Sequence, residues 1–326
     1  MSSRNNLLNY LLYYGTLIIP KMKIKRSHII KKFPWIVKKN QQYIISASYD
    51  GLICAAFLKH FLNWELVGYY NFENLWISKK AKNNKNNIIW IDLNILPIKG
   101  RAIGGHIVAY NNQIPKGFDT SCNPNTLIRL SEKDFQYKYP FSTIVFLMWL
   151  HNKYVVEKAK FTLFHSDDVW LKYQKYNSNC KLWQKALTDY DWDLLFEGIE
   201  KKSFEKKVSQ KYYPFFESNH FFNQTGKIKS KYYNITSKQL WFNPDWDEDI
   251  ILNLCDYFAQ TLDWEPPKLP SIDNRIDGIK NKIALSKVKS QGISHFINSN
   301  NVFSYAITST KTLSYTVFNN RKNKPL

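Results

Sequence analysis

The chain has 326 residues and a mass of 38.7 kDa, enough for one large domain or two ordinary ones. Apolar residues make up 44% of the chain and aromatic residues 16%, which excludes a wholly disordered protein. The 46 Lys and Arg residues outnumber the 26 Asp and Glu residues, and a net charge of +20 attracts polyanions such as nucleic acid. A lysine-rich surface that only keeps the protein in solution is the alternative interpretation.

Residues 1–40 form a basic N-terminal arm, since the first acidic residue of the chain is Asp50. Residues 7–19, LLNYLLYYGTLII, are too short to span a bilayer and predict a helix that docks on the core or on a partner protein. We find no segment of transmembrane length and expect no membrane association. The basic residues of the arm that we expect to contact nucleic acid are Lys23, Lys25, Arg26, Lys31 and Lys32.

The cysteines are scattered along the chain, without a CxxC pair or the His spacing of a zinc site. They are Cys54, Cys122, Cys180 and Cys255. This pattern argues against a disulfide framework and indicates a reducing compartment, so we predict a cytoplasmic protein.

Residues 41–200 alternate between patterns typical of strands and of helices, which predicts an α/β domain with a mostly parallel sheet. Predicted strands are YIISAS at 43–48, ELVGYYN at 65–71, IIWIDLN at 88–94 and AKFTLFHSDDVWLKY at 159–173. Predicted helices are GLICAAFLKHFLNW at 51–64 and FSTIVFLMWLHNKYVV at 141–156, and the lysine-rich residues 78–87 predict a solvated loop.

Residues 201–240 are a basic connector, and residues 241–326 predict a smaller C-terminal α+β domain. The connector begins within a predicted charged helix at 197–216 and then alternates lysines with aromatic residues. Bases stack on exposed rings while lysines bind phosphates, so we expect nucleic acid to contact Lys229, Lys231 and Tyr232. The C-terminal region predicts a helix at 247–262 and a hairpin of NVFSYAIT at 301–308 and TLSYTVFN at 312–319.

Three predicted strands end in an acidic residue: Asp50, Asp92 and the pair Asp167 and Asp168. His106 lies between them in a Gly-Gly-His turn. Because the carboxyl ends of parallel strands meet at one edge of a sheet, these groups are expected to converge. Carboxylates and an imidazole suit one Mn²⁺ or Mg²⁺ ion, which activates water for phosphodiester hydrolysis. The alternative is structural, with Asp50 capping a helix and His106 as a turn residue.

The order of these motifs resembles the DHH phosphoesterase superfamily, which includes RecJ-like exonucleases and oligoribonucleases. The resemblance covers residues 43–170. The first motif of the family has His, Asp and Asp at alternate positions before Gly, and here these positions hold Ser46, Ser48 and Asp50. The second motif is a single Asp at a strand end, which Asp92 matches. The third motif, Asp-His-His, reads Gly-Gly-His, so His106 corresponds to either histidine of the motif.

The fourth motif, an Asp after a later strand, is matched by Asp167 or Asp168. The Asn-Pro-Asn turn at 123–125 and the apolar helix after it also resemble the family. The resemblance implies that the serines have removed one of two metal sites. Asp50, Asp92, His106 and Asp167 resemble the ligands of the remaining ion.

Two hypotheses follow. The first is a DHH-like, metal-dependent phosphodiesterase with a single ion that acts on nucleic acid or a nucleotide. The second is a DHH-like protein without catalysis, which binds nucleic acid or a partner protein as part of an assembly.

Overall fold

The computed structural model describes residues 22–96 and 101–318 of the chain. The docking helix predicted at residues 7–19 lies outside these ranges. The described end of the basic arm is ordered by helix α1, Arg26–Lys32, and a 3₁₀ turn at Pro34–Val37. Ile29, Trp35 and Ile36 of these elements are buried in the core, while Lys31 and Lys32 stay exposed.

Strands β1 to β5 are Gln42–Ser46, Glu65–Tyr70, Asn74–Ile77, Ile89–Ile91 and Arg101–Ile103. Strands β6 to β10 are Gln224–Lys229, Thr236–Gln239, Asn274–Ala284, Val302–Ser309 and Thr312–Phe318. Eight of them form one sheet in the order β5-β4-β1-β2-β3-β8-β10-β9, and β6 pairs with β7 separately. The pairs among β5, β4, β1 and β2 are parallel, and the remaining pairs of the sheet are antiparallel. The fold is therefore mixed α/β.

Helices α2 to α8 are Tyr49–Leu62, Lys79–Asn83, Pro124–Leu127, Thr143–Leu150, Lys160–His165, Val169–Lys175 and Asn177–Ala186. Helices α9 to α14 are Trp192–Phe196, Lys202–Lys207, Tyr213–Ser218, Glu248–Leu262, Leu285–Lys289 and Ile293–Ser299. A π-helical turn at Val208–Tyr212 joins α10 to α11. Short 3₁₀ turns occur at Lys85–Asn87, Glu132–Tyr137, Glu157–Ala159 and Ser166–Asp168.

The core lies where α2 packs against β1, α5 and α12. Helix α5 is buried along its whole length, as its unbroken apolar sequence predicts. Small residues of α2, such as Ala55 and Ala56, are also fully buried and allow the neighbouring elements to approach closely. This packing holds the carboxyl end of β1 against the start of α2.

Most predicted elements are confirmed: β1, β2 and β4, helices α2, α5 and α12, the helical stretch from α10 to α11, and the hairpin of β9 and β10. The strand predicted at residues 159–173 is wrong, because this segment forms α6, the Ser166–Asp168 turn and α7. All six residues of α6 are buried, and a short segment that is buried on every side has no periodicity to separate helix from strand.

The solvated loop predicted at residues 78–87 is also wrong, because its first half forms α3. The Ser78 hydroxyl caps this helix by accepting a hydrogen bond from the Ala81 amide at 3.3 Å. A serine N-cap satisfies an amide that would otherwise lack a partner, which stabilises even a short lysine-rich helix.

The C-terminal strands extend the sheet of the N-terminal region. Strand β8 pairs with β3, with Leu75 opposite Ile276. The division into an arm, two domains and a connector stays a prediction. In the described ranges, every helix falls short of the length and apolar character needed to cross a bilayer.

Candidate functional site

The turn from β1 into α2 positions the first predicted acidic residue. The N-cap of α2 is Ser48, whose hydroxyl accepts a hydrogen bond from the Gly51 amide at 3.2 Å. A Cβ atom at Gly51 would lie 2.1 Å from the Ser46 carbonyl oxygen, so only glycine fits here. The proposed capping role of Asp50 is thus filled by Ser48. The buried Asp50 carboxylate instead accepts a hydrogen bond from the Ser166 hydroxyl at 2.5 Å.

Asp92 follows β4, the neighbour of β1, and both of its carboxylate oxygens have hydroxyl partners. Oδ2 accepts from the Ser46 hydroxyl at 2.6 Å, and Oδ1 accepts from the Thr143 hydroxyl at 2.7 Å. The Asp92 backbone is left-handed, with φ at 62°. Such a conformation costs free energy outside glycine and persists only where surrounding contacts fix it. Two chain-distant hydroxyls fix the carboxylate in this case.

Asp167 and Asp168 also have left-handed backbones, with φ of 55° and 54°, in the turn between α6 and α7. Asp167 Oδ2 lies 3.4 Å from the Lys172 ammonium, and its side chain is 42% exposed. Asp168 is buried, and its Oδ1 atom accepts no hydrogen bond from the described residues. Burial raises the pKa of Asp168 to about 7. Of these two residues, Asp167 is the one that interacts strongly with the other predicted site residues.

The Asn-Pro-Asn turn holds the loop that carries His106. Asn123 Nδ2 donates to the His106 carbonyl at 2.7 Å, and Asn125 Nδ2 donates to the Gly105 carbonyl at 2.9 Å. A Cβ atom at Gly104 would lie 2.5 Å from the Leu93 carbonyl, so the loop packs tightly against the segment after β4. This packing holds the loop that carries His106 against the segment that follows Asp92.

Asp50, Asp92, His106, Lys138 and Lys172 each interact electrostatically with Asp167; we call these six residues the carboxylate–lysine cluster. Burial, then the charges of Asp167 and Asp92, raises the pKa of Asp50 well above its usual value. Burial and then Asp167 raise the pKa of Asp92 to about 7. Burial alone would raise the pKa of Asp167, but the ammonium groups of Lys172 and Lys138 lower it.

The two lysines determine the charge of this cluster. The charge of Lys138, and then burial, lowers the pKa of His106 to about 3, so the imidazole is neutral. Burial and then Lys172 lower the pKa of Lys138 to about 8. Burial also disfavours the charged form of Lys172, but Asp167, Asp168 and Asp50 raise its pKa above the usual value. At neutral pH the ammonium groups of Lys172 and Lys138 therefore balance the Asp167 carboxylate, while the raised pKa values of Asp50 and Asp92 favour their protonated forms.

No pattern in the sequence predicted the partners of these carboxylates: Lys138, Thr143, Ser166 and Lys172. Lys172 follows Asp167 by five residues, a spacing that the i,i+3 and i,i+4 pairs of a helix do not include. Lys138 and Thr143 are brought to the cluster from other elements, which no spacing in the sequence indicates.

The carboxylate groups in this arrangement do not fit the Mn²⁺ or Mg²⁺ ion that the resemblance implies. In the two described ranges, no group of three or more His, Cys, Asp or Glu side chains is arranged to hold a metal ion. Both Asp92 oxygens accept hydroxyl hydrogens, and Asp167 is paired with a lysine. Ser46 and Ser48 hydrogen-bond to each other at 2.8 Å. The Mn²⁺ or Mg²⁺ site stays a prediction.

A cavity of about 480 Å³ opens beside His106 and Asn94, between the loop after β5 and the strands β8 to β10. We call it the central groove. Its aromatic wall contains Phe72 and Trp241, whose ring centroids lie 5.4 Å apart. Lys280 and Lys282 also line the groove, together with the hydroxyl residues Ser304, Thr308, Ser309, Thr312, Ser314 and Thr316. Rings, hydroxyls and ammonium groups in one groove suit the bases, sugars and phosphates of a nucleic acid.

The predicted nucleic-acid residues lie on two elements. On and before α1, Lys23, Lys25, Lys31 and Lys32 are exposed. Arg26 is different, because its guanidinium donates to the Trp149 carbonyl at 3.2 Å and to Asn152 Oδ1 at 2.8 Å, which anchors α1. On the β6–β7 hairpin, the side chains of Lys229, Lys231 and Tyr232 are exposed.

Comparisons with protein-family models, with curated proteins and with solved structures found no match. The class of protein is therefore defined by fold and site alone. It is a mixed α/β protein with a carboxylate–lysine cluster at the carboxyl ends of parallel strands and a basic, aromatic groove beside that cluster.

Proposed function

We propose that this chain is a DHH-like protein that binds single-stranded nucleic acid without metal-dependent hydrolysis. The observation that carries the proposal is the ammonium group of Lys172, 3.4 Å from the Asp167 carboxylate. The resemblance assigns that carboxylate to a metal ion, and a lysine beside it supplies a competing positive charge. Together with Lys138, it offsets the negative charge that would attract a cation.

The central groove and the net charge support nucleic acid as the ligand. A base stacks on the wall formed by Phe72 and Trp241, and the exposed lysines Lys280 and Lys282 contact phosphates. Lys280 Nζ lies 5.6 Å from the Phe72 ring centroid, so one ligand can meet ring and charge together. The net charge of +20 adds long-range attraction to the same ligand.

The first experiment measures binding of labelled single-stranded DNA and RNA in EDTA over a series of salt concentrations. We expect binding that needs no divalent ion and that weakens steeply with salt, because each lysine–phosphate contact releases counterions. A parallel assay with Mn²⁺ is expected to show no cleavage. Absence of binding at low salt contradicts the proposal.

Replacing Lys280 and Lys282 with alanine is expected to weaken binding by about 10-fold and to lower the salt dependence, because two phosphate contacts are lost. The matched control is Lys287→Ala with Lys289→Ala, which removes the same charge from exposed residues of α13 outside the groove. Equal weakening by both pairs would show that only net charge matters and that the groove is not the binding site.

Replacing Lys172 with glutamine is expected to make thermal stability respond to Mn²⁺, because Asp167 loses its ammonium partner. The wild-type protein and the control Lys175→Gln, an exposed residue of α7, are expected to show no rise in Tm with Mn²⁺. An equal Mn²⁺-dependent rise in all three proteins would contradict the proposal that Lys172 keeps a cation out of the cluster.

The second candidate is the single-metal phosphodiesterase, which acts on nucleic acid or a nucleotide. The observation in its favour is that Asp50, Asp92, His106 and Asp167 interact in one cluster. Cleavage of either probe in Mn²⁺ that disappears in Asp92→Asn would establish this activity. A protein partner at the N-terminal arm and a cytoplasmic location stay predictions.

A further inference from the structure

The β6–β7 hairpin ends in residues 230–235, which we call the tyrosine loop. Tyr232 is 41% exposed and Tyr233 is 42% exposed, so two large rings stand at the surface. Large aromatic side chains are usually buried, so adjacent exposed rings in a described loop need an explanation. The hydrogen bonds of the loop backbone explain in part why these two rings stay at the surface.

A buried carboxylate fixes this loop. Glu205 of α10 has no exposed surface, and its two oxygens accept hydrogen bonds from the backbone amides of Lys231, Tyr232 and Tyr233 at 2.9 to 3.2 Å. The Lys231 amide also lies 3.1 Å from Gln174 Oε1. Successive amides around one carboxylate give the loop a defined conformation. The rings are therefore presented on a fixed backbone, which lowers the entropic cost of binding a ligand on them.

Each exposed tyrosine of this region has an ammonium group beside its ring. The distance from Nζ to ring centroid is 5.2 Å for Lys231 and Tyr232, and 6.0 Å for Lys202 and Tyr233. A third pair lies two residues after Gln174, where Tyr176 is 48% exposed and Lys175 Nζ is 5.9 Å from its ring. This repeated combination offers stacking and phosphate contacts side by side.

Residues 201–244 carry few acidic side chains that would repel a polyanion. Residues 201–244 contain nine lysines but only two acidic residues, Glu205 and Glu217. Glu205 is buried against the loop amides, and Glu217 lies 3.8 Å from the Lys238 ammonium. The exposed surface of the hairpin and α10 is thus strongly positive.

We propose that the tyrosine loop is a second contact surface for single-stranded nucleic acid, on which bases stack against Tyr232 and Tyr233. This inference rests on the proposed function and extends it beyond the central groove. The loop is connected to the groove through Trp241, whose carbonyl accepts from Asn223 Nδ2 at 2.5 Å and whose amide donates to Asn223 Oδ1 at 3.1 Å. Asn223 directly precedes β6.

The hairpin therefore leads from the groove wall to the tyrosine loop. An extended strand of six residues such as β6 spans about 20 Å. A short oligonucleotide that fills the groove does not reach across this distance, whereas a longer strand does. Probe length consequently separates the two surfaces.

The test compares the double variant Tyr232→Ala/Tyr233→Ala with wild-type protein on a dinucleotide and on a single-stranded probe of about 16 nucleotides. We expect affinity for the long probe to fall about 10- to 100-fold, because stacking on two rings is lost, and affinity for the short probe to stay unchanged. The control is Tyr232→Phe with Tyr233→Phe, which keeps both rings and is expected to bind like wild type.

Unchanged binding of the long probe by the alanine variant would overturn the tyrosine loop as a contact surface and leave the proposed function intact. Equal loss on both probes would also overturn it, since the loop would then not act separately from the groove. Failure of wild-type protein to bind either probe would instead overturn the proposed function itself.

Discussion

Replacing Glu205 with alanine is expected to lower the free energy of unfolding by about 2–4 kcal/mol. The carboxylate is fully buried and accepts hydrogen bonds from three backbone amides of the tyrosine loop. Hydrogen bonds to a charged group are each worth about 1.5–3 kcal/mol, and their loss leaves amides to find water or stay unpaired. Because the loop is exposed, water can replace part of these hydrogen bonds. The expected loss in the free energy of unfolding is therefore smaller than the sum of the separate hydrogen-bond energies.

Two variants calibrate the Glu205 measurement by chemical denaturation. Glu205→Gln keeps the size of the side chain and one acceptor oxygen, but its NH₂ group faces an amide donor, so we expect an intermediate loss. Glu217→Ala removes an acidic side chain that is 71% exposed and weakly paired with Lys238, and is expected to change stability by less than about 1 kcal/mol. A similar small loss in Glu205→Ala would show that the loop is not held by this carboxylate.

Replacing Asp92 with asparagine is expected to stabilise the protein more at pH 8 than at pH 4.5, by about 2–4 kcal/mol. Burial, and then the charge of Asp167, raises the folded-state pKa of Asp92 to about 7 from its usual 3.8. Between pH 3.8 and about pH 7, Asp92 has lost its proton in the unfolded chain but keeps it in the folded protein. Stability from this group is therefore fully present below about pH 4 and is lost as pH rises towards 7.

Asparagine resembles the protonated carboxyl group and does not ionise, so the stability of the variant does not fall through this group as the pH rises. Free energies of unfolding measured for both proteins from pH 4.5 to pH 8 isolate the effect of Asp92, because Asp168 titrates in both proteins. The control is Asp193→Asn, since the Asp193 side chain is 92% exposed and its pair with Lys181 at 3.4 Å is open to water. A difference between Asp92→Asn and wild type that does not change with pH would refute the raised pKa.

Local patterns in the sequence determined the elements that carry the site. The apolar run before Asp92, the alternation in the C-terminal hairpin and the amphipathic pattern of α12 each reflect the burial of one short segment. The positions of Asp50 and Asp92 also followed from the sequence, since each residue comes at the end of a predicted strand. The strand predicted at 159–173 failed, because burial on every side of α6 removed the periodicity that separates helix from strand.

Only the tertiary structure decided what these carboxylates do. Thr143 and Lys138 reach the cluster from separate elements, and each changes the hydrogen bonding or the charge of a predicted ligand. No sequence pattern predicts that Glu205 accepts hydrogen bonds from amides 26 to 28 residues away. The physical reason is that secondary structure depends on neighbours along the chain, whereas pKa values and ion pairs depend on which distant groups share a buried volume.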